Sequence, residues 1–204
     1  MDLDLKNKVV LITGGASGIG AAIVRAVVGE GAVAVIADRC AEQPQAVEGR
    51  VHVVAGDLTA RENCKKAVEQ TLECFGRLDA LVNNAGVNDR VGLERGNPKD
   101  YIASLQRNLL HYYNMAHYAL PALKESRGSV VNIASKTAIT GQGDTSGYAS
   151  AKGAILALTR EWAVELAPYG IRSNAVVPAE VMTPLYRRWL DTFPNPEEKL
   201  ADIT

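Results

Sequence analysis

Six short runs of apolar residues recur along the chain, and stretches with helical character separate them. The runs cover residues 9–12, 32–37, 51–55, 79–82, 128–134 and 171–177. A run that is apolar at successive positions indicates a strand buried on both faces, as in a parallel sheet. Strands that alternate with helices predict an α/β fold: a doubly wound parallel sheet with helices on both faces. We expect a single domain over residues 1–204.

Polar residues mark where several helices begin. Thr59 and Glu62 have the spacing of a capping box, and Asn97 with Pro98 marks the start of a long helix. Asn108 lies in the middle of that helix, so we expect a kink that its amide stabilises and that exposes a carbonyl to water. Helices are predicted over residues 21–30, 62–75 and 98–123, around Tyr148 and after Thr183. The long helix also carries residues expected in the core or at a subunit contact: His111, Tyr112, Tyr113 and His117.

A glycine-rich turn joins the first strand to the first helix. Gly14, Gly18 and Gly20 give the spacing Gly-x-x-x-Gly-x-Gly, which differs from the Gly-x-Gly-x-x-Gly of the commoner dinucleotide fingerprint. Glycines let the backbone approach a ligand closely, and the free N–H groups at a helix N-terminus favour phosphate. The turn predicts a phosphate cradle; a loop built only for tight packing is the alternative.

Acidic side chains follow the second and third strands. Asp38 comes roughly 20 residues after the glycines, where a carboxylate accepts hydrogen bonds from an adenosine ribose and repels a 2′-phosphate. This position favours NAD, although Arg39 beside it leaves NADP open because a guanidinium pairs well with phosphate. An N-cap role is the structural alternative for Asp38. Asp57 follows the third strand, and both an adenine contact and a plain turn role are open for it.

Tyr148 and Lys152 form a pair with catalytic chemistry. They are four residues apart in an apolar-periodic segment, so they share one helix face, and Ser135 ends the strand before them. An ammonium ~4 Å from a phenol contributes about 4 kcal/mol at an effective dielectric near 20, enough to lower a tyrosine pKa by roughly 3 units. Tyr148 would then exchange a proton with an alcohol or a carbonyl near neutral pH. The alternative is a core aromatic beside a snorkelling lysine.

Composition and charge exclude several classes of function. The net charge is −1 and the acidic and basic residues are interspersed, so nothing points to nucleic acid. The charged N-terminus and the short first apolar run indicate neither a signal peptide nor a membrane span. Cys40, Cys64 and Cys74 lack metal-ligand spacing, so we expect no metal site and predict free thiols in the cytoplasm.

Taken in order, these motifs resemble the short-chain dehydrogenase/reductase family. They are Thr13-Gly14-x-x-x-Gly18-Ile19-Gly20, Asn83-Asn84-Ala85-Gly86, Asn108, Ser135, Tyr148-x-x-x-Lys152 and Pro178 through Thr183. The resemblance runs from Lys8 to Thr204. It implies a Rossmann-like fold, NAD(P)-dependent chemistry on CH–OH groups of a small-molecule substrate, and a homotetramer or homodimer.

The resemblance also implies a role for each matching residue. Tyr148 would be the catalytic acid/base and Ser135 would position the substrate oxygen. Lys152 would lower the Tyr148 pKa and hold the nicotinamide ribose, while Asn108 would anchor a water that links Lys152 to bulk solvent. The cofactor contacts would be Gly14, Ser17, Gly18 and Ile19 to the pyrophosphate, Asp38 to the adenine ribose, Asp57 and Leu58 to the adenine, Asn84 and Gly86 along the groove, and Thr183 with the backbone after Pro178 to the carboxamide.

Two features depart from the family pattern. The family usually has glycine after Pro178, but here Ala179 and Glu180 follow, which places a carboxylate near the nicotinamide. Glu180 would bond substrate hydroxyls, or would be a solvated loop charge. Family members usually continue past the position of Thr204 through another helix and a seventh strand. The resemblance therefore predicts that the C-terminal strand of the sheet is missing.

The expected substrate contacts are mostly polar: Asn88, Lys136, Gln142, Glu180 and Tyr186. Polar contacts suit a polyhydroxylated ligand better than a steroid or a fatty-acyl chain. Four segments are similar to the bacterial L-fucose dehydrogenases of this family: residues 84–89, 108–113, 135–142 and 178–186. That similarity implies oxidation of an aldose at its anomeric carbon to the lactone. A 3-oxoacyl or other carbonyl reductase and a non-catalytic nucleotide-binding protein are the alternatives.

Overall fold

The predicted parallel sheet is present in the computed structural model of the protein, which describes residues 3–44 and 47–201. Its strands are β1 (Val9–Thr13), β2 (Val33–Asp38), β3 (Val51–Ala55), β4 (Ala80–Asn83), β5 (Ser129–Ile133) and β6 (Arg172–Val176). All neighbouring strands are parallel, in the order β3-β2-β1-β4-β5-β6. The order reverses between β1 and β4, so the doubly wound fold is confirmed, and a ligand crevice is expected at that reversal.

Helices follow the strands on both faces of the sheet. They are α1 (Gly18–Gly29), α2 (Arg61–Phe75), α3 (Pro98–Leu105), α4 (His111–Ser126), α5 (Ser146–Glu165), α6 (Pro184–Leu190) and α7 (Pro196–Ala201). A π-helical segment, Gln106–Leu110, joins α3 to α4. Asn97 accepts a hydrogen bond from the Asp100 backbone N–H, which confirms the predicted cap of α3.

Apolar side chains of each inner strand point alternately to two cores. Leu11 packs in a cluster with Met115 of α4 and Trp162 of α5. Its neighbour Ile12 belongs to a second cluster with Val24 of α1 on the other face. Burial on both faces explains why the strand sequences are continuously apolar.

One predicted helix cap is wrong, and one alternative role left open by the sequence is excluded. The capping box at Thr59 and Glu62 does not form, because α2 begins at Arg61 with no side-chain cap. Instead, the Thr59 N–H and hydroxyl both donate to the Asp57 carboxylate, at 2.9 and 2.8 Å. Asp38 is not an N-cap either, since its carboxylate accepts hydrogen bonds from the Ala16 and Cys40 N–H groups. Short carboxylates compete well for nearby backbone N–H groups, which explains both differences.

The described part of the chain was searched for disulfides, metal-ligand clusters and membrane-spanning helices. Cys40, Cys64 and Cys74 are free thiols, as predicted. Over residues 3–44 and 47–201, no three His, Cys, Asp or Glu side chains gather as metal ligands would. None of the helices described there has both the length and the apolar character needed to cross a bilayer.

Candidate active site

A cleft of about 590 Å³ opens at the carboxyl ends of the strands, around the reversal in strand order. Every residue expected to hold the cofactor lines this cleft: Gly14, Ser17, Gly18, Ile19, Asp38, Asp57, Leu58, Asn84, Gly86, Tyr148, Lys152, Pro178 and Thr183. These residues come from six separate segments of the chain. Their roles stay predictions, but the chain brings all of them to one place.

The glycine turn forms a surface without side chains at one end of the cleft. Gly14 and Gly18 have φ values of +66° and +56°, which favour glycine, and a Cβ on Gly14 would lie 2.9 Å from the Ala85 Cα. Ser17 makes no side-chain hydrogen bond to the first turn of α1, whose N–H groups have no partner within the helix. The turn is therefore tightly packed and also borders the cleft, so the two readings of the glycines are not exclusive.

Asn84 and Thr13 fasten the turn to β4. The Asn84 side-chain amide donates to the carbonyl oxygens of Thr13 and Gly14, at 2.9 and 3.1 Å. In return, the Thr13 hydroxyl oxygen accepts from the N–H groups of Asn84 and Ala85. Asn84 was among the residues predicted from the sequence, whereas the hydrogen bonds that the Thr13 hydroxyl accepts were not predicted. A polar residue ending a continuously apolar strand was the available signal.

Deeper in the sheet, Asn83 continues this fastening. Its amide donates to the Asn132 side chain of β5 at 3.0 Å, and Asn132 donates to Thr159 of α5 at 3.0 Å. All three residues are buried. Asn83 and Asn84 together thus fasten β4 to both of its neighbouring strands.

Ser135, Tyr148 and Lys152 meet on one wall of the cleft. Ser135 lies two residues after the end of β5, and its hydroxyl accepts a hydrogen bond from the Thr137 hydroxyl at 3.1 Å. Lys152 is 2 % exposed, and its Nζ donates to the Ile133 carbonyl at 2.7 Å and to the Tyr112 hydroxyl at 3.0 Å. Nζ lies 5.6 Å from the centre of the Tyr148 ring.

The predicted lowering of the Tyr148 pKa is wrong for this arrangement. Burial raises the pKa of the Tyr148 phenol above its ordinary value, and a hydrogen bond with Ser135 acts in the opposite direction. Burial also lowers the pKa of Lys152 to about 7. The reason is that Nζ bonds Ile133 and Tyr112 rather than the phenol, and that both groups are desolvated.

Asn108 lies behind the cleft wall and does not line it. Its amide nitrogen donates to the Ser104 carbonyl at 3.1 Å, and its Oδ1 accepts from the Val87 N–H at 2.7 Å. A Cβ on Gly86 would lie 3.1 Å from Asn108 Oδ1 and 3.5 Å from Lys152 Nζ. The predicted kink is a π-helical turn, and the asparagine satisfies a backbone carbonyl there.

Most of the expected substrate contacts lie outside the cleft. Asn88 lines it, whereas Lys136, Gln142, Glu180 and Tyr186 do not. Lys136 and Glu180 form an ion pair with each other. Glu180 is therefore not simply a solvated loop charge, which was the alternative for it. Gln142 is exposed, and the Tyr186 hydroxyl is screened from solvent without a hydrogen-bond partner among the described residues. No local pattern indicates that Lys136 pairs with Glu180, because 44 positions separate the two residues along the chain.

Several residues of the cleft were not predicted. Thr59, Arg107, His111 and Arg188 line it together with the expected set and with Arg39, the residue that left NADP open. His111 is 2 % exposed, and its Nε2 lies 3.1 Å from the Ala85 carbonyl oxygen. It was expected to be structural, and its position one helical turn after Asn108 was the signal that it would reach the same wall.

The pH dependence of stability is expected to report the buried His111. Burial lowers its pKa from the ordinary 6.5 to about 4, so between these values the unfolded chain binds more protons than the folded protein. Stability is then complete above pH 6.5 and is lost as pH falls through about 4. At pH 5 we expect a loss of about 2 kcal/mol relative to pH 7, absent in His111→Gln.

Urea unfolding at pH 7 and pH 5 measures this difference. His117→Gln is the matched control, since His117 is exposed on the same helix α4, and its pH dependence should follow that of the wild type. An equal loss of stability in wild type and His111→Gln would contradict the assignment.

The residues of the cleft fit a dinucleotide with a nicotinamide. The glycine turn leaves no room for a Cβ at Gly14, the Asp38 carboxylate stands at the far end, and the Ser135, Tyr148 and Lys152 side chains stand on another wall. A volume of about 590 Å³ is within the range of cofactor sites. Chemically, the wall supplies one hydroxyl, one phenol and one amine, which are groups that hold an oxygen and move a proton.

Comparison with known proteins places the chain among dehydrogenases. Residues 8–192 match the family described as short chain dehydrogenase. An L-fucose dehydrogenase of Bos taurus is 38% identical over 203 residues, which are 97% of this chain and 75% of that protein. The crystal structure of the Cj0485 dehydrogenase is 46% identical with a TM-score of 0.95, covering 100% of this chain and 80% of that one.

Two further structures represent two substrate classes. The ligand-free aldohexose dehydrogenase of Thermoplasma acidophilum is 32% identical with a TM-score of 0.87, covering 96% of this chain and 77% of that one. The 3-ketoacyl-(acyl-carrier-protein) reductase of Brucella melitensis, complexed with NADH, is 30% identical with a TM-score of 0.85, covering 97% and 90%.

Proposed function

The chain belongs to the short chain dehydrogenase family, and on that premise we propose that it oxidises L-fucose or a related aldose at C1 to the lactone, with NAD as cofactor. As a family member it is an oxidoreductase that acts on CH–OH groups and uses NAD(P). The observation that carries the choice of a sugar is the 38% identity to an L-fucose dehydrogenase over 97% of the chain. Similarity to an aldohexose dehydrogenase supports the same class of substrate.

The proposed reaction divides between the cofactor and the residues of the cleft wall. Ser135 holds the oxygen of the anomeric hydroxyl, and the Tyr148 phenolate takes its proton. A bound oxidised nicotinamide would supply the acceptor for the hydride of the anomeric carbon, and its positive charge would favour the Tyr148 phenolate. The alcohol thus loses a proton to Tyr148 and a hydride to the cofactor, which leaves the lactone carbonyl.

Lys152 and Asn108 support this proton transfer without contacting the substrate. An ammonium has three N–H donors, and the Ile133 carbonyl and the Tyr112 hydroxyl accept two of them. We assign the third to the nicotinamide ribose, since Nζ lies at the cleft wall next to Gly86. Asn108, next to the same glycine, is assigned the water through which protons reach Lys152.

NAD is the proposed cofactor because of Asp38. Two backbone N–H groups hold its carboxylate at the cleft, at 3.1 Å each. A fixed negative charge at that point repels a 2′-phosphate. Arg39 also lines the cleft, and NADP use is the alternative that it supports.

Asn88 and the Lys136–Glu180 pair are the proposed substrate contacts. Asn88 lines the cleft, and the ion pair joins the segment after Ser135 to the segment after Pro178. Lys136 and Glu180 do not line the cleft themselves, but Ser135 and Ala179 beside them do. Gln142 is exposed outside the cleft and the Tyr186 hydroxyl is screened from solvent, so neither has a place in the proposal. A cytoplasmic location belongs to the proposal because the three cysteines are free thiols, and a homotetrameric or homodimeric assembly belongs to it on the family resemblance alone.

The test is the absorbance of NADH when the purified protein meets a panel of aldoses, led by L-fucose, with NAD or NADP. We expect NADH to form with L-fucose and NAD. With NADP, kcat/KM should be about 100-fold lower, because like charges brought together cost several kcal/mol.

Three other results would lead elsewhere. Activity on 3-oxoacyl thioesters without activity on aldoses would replace the sugar with the runner-up, a carbonyl reductase, which the Brucella melitensis structure supports. Equal rates with NAD and NADP would show that Asp38 does not repel the 2′-phosphate of NADP. NADH binding without turnover of any alcohol or ketone would favour a non-catalytic nucleotide-binding protein.

A further inference from the structure

A second tyrosine, Tyr112 of α4, contacts the amine of Lys152. The Tyr112 side chain is fully buried, and its hydroxyl donates to the Ile133 carbonyl at 2.9 Å. Lys152 Nζ donates to the same hydroxyl oxygen at 3.0 Å and to the same carbonyl at 2.7 Å. The hydroxyl, the carbonyl and the amine thus form a closed triangle of polar atoms within the core.

Packing alone does not require this hydroxyl. Tyr112 packs in a small apolar cluster with Ala134 and Ile155, where a phenylalanine ring has the same shape. Burying a hydroxyl costs free energy that its hydrogen bonds must offset. The Ile133 carbonyl already bonds Nζ, so the distinct contribution of the hydroxyl is its contact with Lys152.

We propose that Tyr112 is a positioning residue for Lys152: its hydroxyl oxygen fixes Nζ at the cleft wall beside Gly86 and favours the ammonium form of the amine. The inference deepens the proposed function, because it rests on the role assigned to Lys152 there. With its proton donated to Ile133, the hydroxyl presents a lone pair to Nζ. It therefore acts as the second acceptor of an ammonium that has three N–H groups.

The Tyr112 hydroxyl matters as an acceptor because no negative charge pairs with Lys152 Nζ among the described residues. The titratable groups facing Lys152 are Tyr148 on its own helix and His111 and Tyr112 on α4. No carboxylate pairs with Nζ among the described residues, and burial lowers the Lys152 pKa to about 7. Hydrogen bonds to neutral acceptors are thus what favours the charged form at this site. Removing one of two acceptors is expected to lower the pKa further.

The test measures the titration of Lys152 in the purified protein by NMR, with lysine labelled with ¹³C at Cε. The Lys152 signal is assigned by its absence in Lys152→Met. In Tyr112→Phe the midpoint of the Lys152 titration should fall by about 1 pH unit, the lower end of what a hydrogen bond to a charged group contributes. Tyr118→Phe, the same change at a half-buried position of α4, should leave the midpoint within about 0.2 units.

A kinetic readout completes the test. In Tyr112→Phe the limb of the kcat–pH profile that depends on Lys152 should move in the same direction as the NMR midpoint, with little change in KM. A midpoint in Tyr112→Phe equal to that of the wild type would overturn the proposal and leave Tyr112 a packing residue. The titration involves no substrate, so a failed sugar assay does not affect it, and an unmoved midpoint says nothing against sugar oxidation.

Discussion

Replacing Tyr148 with phenylalanine is expected to lower kcat by about 10²–10⁴-fold on any substrate that the protein oxidises or reduces. The ring stays in place at the cleft wall, but the group that exchanges the proton is gone. The affinity for NADH should change little, because the glycine turn and Asp38 are untouched. Formation of NADH by absorbance and binding of NADH by fluorescence measure the two quantities separately.

Tyr113→Phe is the matched control for this prediction. Tyr113 is 54% exposed on α4 and does not line the cleft, so its hydroxyl should be dispensable for turnover. If Tyr148→Phe kept activity within about 10-fold of the wild type, a contribution of the size usual for general acid–base catalysis would be absent, and another group would have to move the proton.

Gly20→Ala is expected to weaken both folding and cofactor binding. A Cβ at Gly20 would overlap the Gly14 carbonyl oxygen and would lie 2.6 Å from Asn84 Nδ2. The clash pushes the turn away from β4, which costs about 2–3 kcal/mol in a packed region and lowers the Tm by roughly 5–10 °C for a chain of this size. The Kd for NADH should rise by about 10-fold or more, since 1.4 kcal/mol is tenfold.

Gly29→Ala gives the comparison within the same helix. No atom lies within 4 Å of a Cβ added at Gly29, and alanine favours helix over glycine by about 1 kcal/mol. This variant should therefore be as stable as the wild type or more stable, with unchanged NADH affinity. A Gly20→Ala protein that unfolds and binds NADH like Gly29→Ala would show that the glycine turn tolerates a side chain.

The sequence by itself determined the sheet and the place of the cleft. Runs such as residues 9–12 are apolar at every position because the strand is buried on both faces, and that pattern is local enough to read directly. Parallel strands bring their carboxyl ends to one edge, so polar residues that follow strands, such as Asp38 and Ser135, had to meet there. The glycine spacing was equally readable, because a turn without a Cβ is a local requirement.

Local competition between hydrogen bonds was harder to predict. Thr59 and Glu62 have the spacing of a capping box, yet Thr59 bonds the Asp57 carboxylate two residues earlier. Asp38 likewise bonds Ala16, 22 positions away, instead of capping a helix. In both cases several acceptors have similar strength, and the choice depends on which N–H the fold brings nearest.

Contacts between distant side chains were decided only by the tertiary structure. The four-residue spacing correctly placed Tyr148 and Lys152 on one helix, but not the partner of the amine, which is Tyr112, 40 positions earlier. The direction of each pKa shift followed from burial rather than from spacing. Lys136 and Glu180 were likewise paired by the fold. Spacing along a helix fixes a shared face, whereas charge and protonation depend on everything packed against that face.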